Sequence, residues 1–137
     1  MARLVLTNAY VLLGVSSDIS DHVASITLSS SFDIVETTAF GDSAKKRVAG
    51  LADNSLTLEL HQDYAASSIE SIIYPLLGTA VAFEVRPVNT TVGATNPKYT
   101  GSALVTEWTP LNGSVGELAT ASITWPISGA ITKSVTP

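Results

Sequence analysis

At 137 residues the chain has room for one core, and its 14% of charged residues falls well below the roughly 25% of an ordinary soluble protein, so its surface leans on Ser and Thr hydroxyls. Twelve acidic against seven basic residues, a formal net charge of −5, argue against tight nucleic-acid binding, which draws its affinity from Lys and Arg neutralising phosphates. The absence of cysteine excludes a disulfide framework, a thiolate nucleophile and Cys-ligated zinc.

The opening MARLVLTNAYVLLGV reads as strands and a turn, because Thr7, Asn8 and Tyr10 break the apolar run before a signal-type core forms. No apolar stretch approaches the ~18 residues needed to span a bilayer, so no membrane insertion is expected. From Val23 the chain alternates, with Ala24, Ile26 and Leu28 on one side and Ser25, Thr27 and Ser29 on the other. Phe32 and Ile34 continue as apolar positions against Ser31, Asp33 and Thr37, so residues 22–39 are two strands or one long bent strand. Residues 40–53, FGDSAKKRVAGLAD, read as a long loop in which three of the seven basic residues, Lys45, Lys46 and Arg47, stand side by side.

Leu56, Leu58 and Leu60 then alternate with Ser55, Thr57, Glu59 and His61, a half-buried strand. Ile69, Ile72, Ile73, Leu76 and Leu77 recur at helical spacing, which predicts a helix over about residues 66–78, started by Asp63 or Ser67, shortened or kinked by Pro75 and stopped at Gly78. Val81, Phe83 and Val85 alternate until Pro87 weakens the strand, and residues 89–98 are a loop. A strand over 99–109, a hairpin turn at Leu111-Asn112-Gly113-Ser114 and a long strand over 115–127, with Ala119, Ala121, Ile123 and Trp125 on one face, complete the pattern. The expected fold is mainly β: one antiparallel β-sandwich or barrel-like domain over residues 1–137, with one flanking helix at about 66–78 and the long loop at about 40–53.

No catalytic, cofactor or metal site emerges. Gly41-Asp42-Ser43-Ala44-Lys45 lacks phosphate-loop spacing and precedes a strand, and it lacks the second glycine of a nucleophile elbow. His22 near Asp18 and Asp21, and His61 near Asp63, allow a mixed metal site, but such pairs arise easily by chance. Glu84 and Glu107 carry no spacing that makes them a catalytic pair. Trp108 and Trp125 are read as core or interface residues first, with a sugar- or base-stacking platform as the alternative. Asn89-Thr90-Thr91 and Asn112-Gly113-Ser114 match the glycosylation sequon, a chance match without an export signal.

The succession DHVASITLSSSFDIVETTAF, GDSAKKRVAGLAD, SLTLELHQDY and SIESIIYPLLG resembles the major tail tube proteins of long non-contractile-tailed phages, the siphophage tail tube family, from about Asp18 to Trp125. The resemblance implies a non-enzymatic structural protein of the virion, made in the host cytoplasm. It implies a homo-oligomer: rings, usually hexameric, whose inner strands join into a continuous barrel and which stack into a tube. Double-stranded genomic DNA passes through the lumen of such tubes during ejection without specific binding, and other tail proteins join them at tip and terminator.

Under this resemblance Ser25, Thr27, Ser29, Asp33, Thr37, Ser55, Thr57 and Glu59 are the lumen-facing candidates. Ile26, Leu28, Phe32, Ile34, Leu56, Leu58 and Leu60 are expected to pack the core with Ile69, Ile72, Ile73 and Leu76. Asp42, Lys45, Lys46 and Arg47 would contact a neighbouring subunit or ring. The alternatives are another phage or secretion-tube subunit (a decoration, terminator or fibre component) and a small carbohydrate-binding β module resting on the two tryptophans.

Overall fold

The computed structural model describes residues 3–137; Met1 and Ala2 of the opening segment lie outside the described residues. The elements, in order, are β1 (Tyr10–Leu13), β2 (Ser17–Asp18), a 3-10 turn (Ser20–His22), β3 (Val23–Glu36), β4 (Arg47–His61), α1 (Ile69–Ile73) running into a second 3-10 turn (Tyr74–Leu76), β5 (Ala80–Arg86), β6 (Lys98–Leu104), β7 (Thr120–Pro126) and β8 (Thr132–Ser134). They form two antiparallel sheets, five-stranded in the order β2-β1-β5-β6-β8 and three-stranded in the order β3-β4-β7. The result is a sandwich with one short helix, as the alternation predicts, and not a closed barrel.

β4 supplies the centre of the core. Its Leu56, Leu58 and Leu60 stand directly opposite Trp125, Ile123 and Ala121 of β7, and all six are buried. Val11 and Leu13 of β1, Val81, Phe83 and Val85 of β5, and Ile69 and Ile73 of α1 join the same cluster, with Ile72 and Leu76 packed at its rim. Burying each large side chain stabilises by ~1.5–3 kcal/mol, so these rows decide which face of each strand turns inward.

The helix is shorter than the 66–78 span. Pro75 lacks the N–H that another α-turn needs, so the α-helix stops at Ile73 and the chain tightens into the 3-10 turn. Ser68, not Asp63 or Ser67, is the N-cap residue, and its side chain makes no capping bond. Asp63 instead accepts the Ala65 N–H at 2.9 Å, one turn earlier, and Ser67 occupies a left-handed φ of 59°. Gly78, at φ +85°, ends the segment as expected.

Residues 23–36 are one long strand with two irregularities. Ala24 is an extra residue between the pairs Val23↔Leu60 and Ser25↔Glu59, so it turns outward and Val23 joins Ile26 and Leu28 against the core. Farther along, Asp33 opposes both Gly50 and Leu51, a bulge on β4. This corrects the 40–53 loop. The ladder runs on to Glu36↔Arg47, leaving only residues 37–46 as connection. Gly50 marks the bulge and not a loop: a Cβ there would stand 3.2 Å from both Asp33 Cβ and Val35 Cγ2.

Two further expectations are overturned. Phe32 and Ile34 hold the inward alternation but are 61% and 73% exposed, because β3 and β4 run past the part of the sheet that a second layer covers. The strands flanking Leu111–Ser114 do not form a hairpin: β6 pairs with β5 and β8, whereas β7, confined to 120–126, pairs with β4. The connection crosses between sheets and is anchored by buried Val105 and Trp108.

Leu58 is fully buried within the apolar cluster. Leu58→Asp is expected to abolish the cooperative unfolding transition in denaturant, whereas Leu51→Asp, on the exposed arm, stays within about 0.5 kcal/mol of wild type. A normal transition for Leu58→Asp would contradict this core.

Candidate functional site

The outer face of the three-stranded sheet is a lattice of hydroxyls. Backbone register lines up Ser25, Glu59 and Ser122 across the strands, then Thr27, Thr57 and Thr124, then Ser29, Ser55 and Pro126. Each of these is exposed or half-exposed, and Thr57 Oγ1 lies 3.2 Å from Thr124 Oγ1. The structure thus brings Ser25, Thr27, Thr57 and Glu59 together as the alternation predicts, and adds Ser122 and Thr124, which the T-A-S-I-T-W-P alternation of β7 marks but the sequence reading did not use. Residues 23–31, 53–60 and 120–126 contain no Lys or Arg, while Asp53 and Glu59 are acidic. Asp33 follows Ser31 on the same alternation at the bulge, and Thr37 lies past the strand, its N–H donating to the Lys46 carbonyl at 2.8 Å.

Beyond the core, β3 and β4 continue as a projecting arm closed by residues 37–46. Its tip is held by its own charges. Asp42 Oδ2 accepts the Ala39 N–H at 2.8 Å, and Oδ1 pairs with Lys46 Nζ at 2.9 Å. The Ala39 hydrogen bond, then the lysine, hold the Asp42 carboxyl below its ordinary pKa. The Lys46 N–H also donates to Thr38 Oγ1 at 2.9 Å. Arg47 stands opposite Glu36 in the ladder. Of the four expected contact residues, Asp42 and Lys46 therefore engage each other, Arg47 faces a carboxylate-bearing neighbour, and Lys45 makes no ion pair among the described residues. The arm also exposes Phe32, Ile34, Phe40, Val48 and Leu51, spread over its two faces and its tip.

Where β3 starts, His22 bridges two carboxylates. Nδ1 lies 2.8 Å from Asp21 Oδ1 and Nε2 2.9 Å from Asp63 Oδ2, tying the strand to the connection before α1. Sequence proximity put Asp63 with His61; the fold gives it to His22, a pairing across 41 residues that no local spacing reveals. Among the described residues no group of three His, Cys, Asp or Glu side chains is arranged to hold a metal ion. Burial alone would lower the His22 pKa, but the hydrogen bonds and charges of Asp21 and Asp63 outweigh it and raise it above 6.5. The Ala65 N–H, then Ser68 and His22, hold Asp63 below 3.8.

The remaining polar candidates are engaged in structure. Trp125 is fully buried and its Nε1 donates to the Glu107 carbonyl at 2.9 Å; Trp108, 9% exposed, donates to Glu70 Oε2 at 2.7 Å. Neither ring offers a face to a sugar, which removes the support for a carbohydrate platform. Glu84 pairs with Arg86, and Glu107 Oε1 accepts the Thr124 N–H, so the two carboxylates are held by different partners.

No protein-family model matches the chain, and no curated protein matches it in sequence. Its fold is shared with chains of several tailed particles. With a chain of the sheath-tube complex of an extracellular contractile injection system in the extended state, the TM-score is 0.72 at 12% identity, covering 98% of this chain and 93% of that one. With a chain of the virion of a native gene transfer agent particle it is 0.68 at 14% identity, covering 90% and 95%. With a chain of the tail of an empty gene transfer agent particle, of C6 symmetry, it is 0.63 at 14% identity, covering 82% of each chain.

The His22 bridge makes stability depend on pH. A histidine whose pKa rises on folding contributes fully below its unfolded value of about 6.5 and loses that contribution as pH rises through the folded value. Asp63, lowered on folding, contributes above about 3.8 and loses this as pH falls through its folded value. The thermal stability of wild type should therefore fall relative to that of His22→Asn as pH rises through neutrality. Parallel curves for the two proteins would contradict the bridge.

Proposed function

We propose that this chain is a tail tube subunit, a structural protein of the virion that joins copies of itself edge to edge through the three-stranded sheet into rings, and that the rings stack into a tube conducting double-stranded DNA. The observation that carries the reading is the three-stranded sheet itself. It has one face in the core, an opposite face of hydroxyls and carboxylates without Lys or Arg, and two edge strands, β3 and β7, with no strand beside them among the described residues, the Glu107 carboxylate capping the β7 N–H at Thr124. Open edges invite uncontrolled pairing, and closing them on identical neighbours in a ring removes them. A wall that neutralises no phosphate and releases no counterion lets DNA slide.

The fold shared with chains of gene transfer agent and injection-system particles supports the tube, and the C6 symmetry of one such tail supports six subunits per ring. Ser25, Thr27, Asp33, Thr57 and Glu59 then line the lumen. The arm reaches a subunit of the adjacent ring, where Lys45, Lys46 and Arg47, with Asp42 shaping the tip, give orientation more than affinity. The whole chain acts as one tube domain, assembled in the host cytoplasm from soluble subunits and joined by other tail proteins at tip and terminator. We place it in tubes of the long non-contractile kind. The likeness to the contractile injection system supports a second reading, the tube of such a machine, with the same ring geometry and a different cargo.

Particles built with Asp33→Lys, Glu59→Lys subunits should keep intact tubes by electron microscopy yet transfer DNA about tenfold less well or worse, because each added cation grips a phosphate. Intact tubes with wild-type DNA transfer would contradict the lumen assignment.

A further inference from the structure

The two flanks of the sandwich beside the unpaired edges differ in shape and charge. Beside β3, between the sheets, runs a solvent-open groove of about 510 Å³. Ile26 and Leu28 of β3 form one wall, and Pro87, Tyr99 and Ile131 the other. Lys133 of β8 stands exposed at its rim and makes no ion pair among the described residues.

At the head of β7, the opposite edge strand, the crossing connection presents a complementary feature. Leu111, Val115 and Leu118 are exposed, and Glu117 stands between the last two, exposed and without an ion pair among the described residues. This segment is fixed in place. Gln62 Nε2 donates to the Pro110 carbonyl at 3.0 Å, the Gln62 N–H to the Ala119 carbonyl at 3.0 Å, and the Glu117 N–H closes a turn on the Ser114 carbonyl at 3.1 Å. Such preorganised apolar knobs lose little freedom on docking.

We infer that the apolar loop at residues 111–118 of one subunit seats in the β3-side groove of the next copy in the ring, with Glu117 meeting Lys133. The two surfaces lie toward opposite edges of one sheet, so the contact is heterologous: each subunit gives a loop on one side and receives one on the other, an arrangement that generates rings when its rotation closes. Apolar knobs fill an apolar groove, and the one free acid on the loop meets the free cation on the rim, which sets register and rejects misaligned copies. The contact adds a second layer to the edge pairing of β3 with β7, so that both layers of the sandwich cross the subunit boundary. It rests on the ring reading above and names the surfaces that would close the ring.

A charge-swap cycle tests it. Glu117→Lys and Lys133→Glu, both at exposed positions, should each leave the monomer's unfolding transition unchanged and raise the concentration needed for rings about tenfold; the two together should restore it. Recovery in the double variant would carry the inference. Rings and tubes forming at wild-type concentrations in both single variants, or no recovery in the double, would overturn this contact and leave the ring reading standing. Failure of the wild-type protein to form rings at any concentration would overturn the ring reading and this contact with it.

Discussion

β4 is the middle strand of its sheet, and its strict alternation sets two surfaces at once. Leu56, Leu58 and Leu60 turn to the core while Ser55, Thr57 and Glu59 turn out, so a shift of one residue would put leucines in water and carboxylate in the core. Pairing with β7 copies that alternation onto Ala121, Ile123 and Trp125 on one side and Ser122 and Thr124 on the other. Hydrophobic burial on the inner face therefore determines which side chains form the outer wall, and the chemistry of that wall follows from packing.

The same strand pair explains the arm. Once the ladder of β3 and β4 is in register it has no reason to stop where the core stops, and it continues to Glu36↔Arg47. Beyond the core its inward positions lose their covering layer, which leaves Phe32 and Ile34 exposed. The bulge at Gly50 interrupts the ladder, and the Asp42–Lys46 pair, with the hydrogen bonds of Thr37, Thr38 and Ala39, closes the tip. Apolar arm, edge strands, groove and knob-bearing loop all leave apolar surface or backbone groups exposed in a single copy, and the proposed ring would cover them together.

Much of this was legible in period-2 alternation. The leucine row, the Val81–Val85 strand, the buried Trp125 and the outward Ser25, Thr27, Thr57 and Glu59 could all be read locally, because an alternating pattern reports which face is inside. What was lost was non-local. Glycine in residues 40–53 signals a loop equally well as a bulge, and only the partner strand separates the two. Phe32 and Ile34 look like core because sequence shows parity but not where the opposing sheet ends. The Asn112-Gly113 pair suggests a hairpin, yet Val105 and Trp108 draw the preceding segment into the core and the chain crosses to the other sheet. The His22–Asp63 bridge joins residues that share no local motif.

In the proposed tube the hydroxyl and carboxylate face of the three-stranded sheet becomes the inner wall of a closed ring. A cryo-electron microscopy reconstruction of the purified protein at high concentration tests it most directly. Stacked rings are expected in which β3 of each copy lies beside β7 of the next and Thr57 and Glu59 point into the bore. Dispersed monomers at every concentration, or a bore lined by the five-stranded sheet, would contradict it.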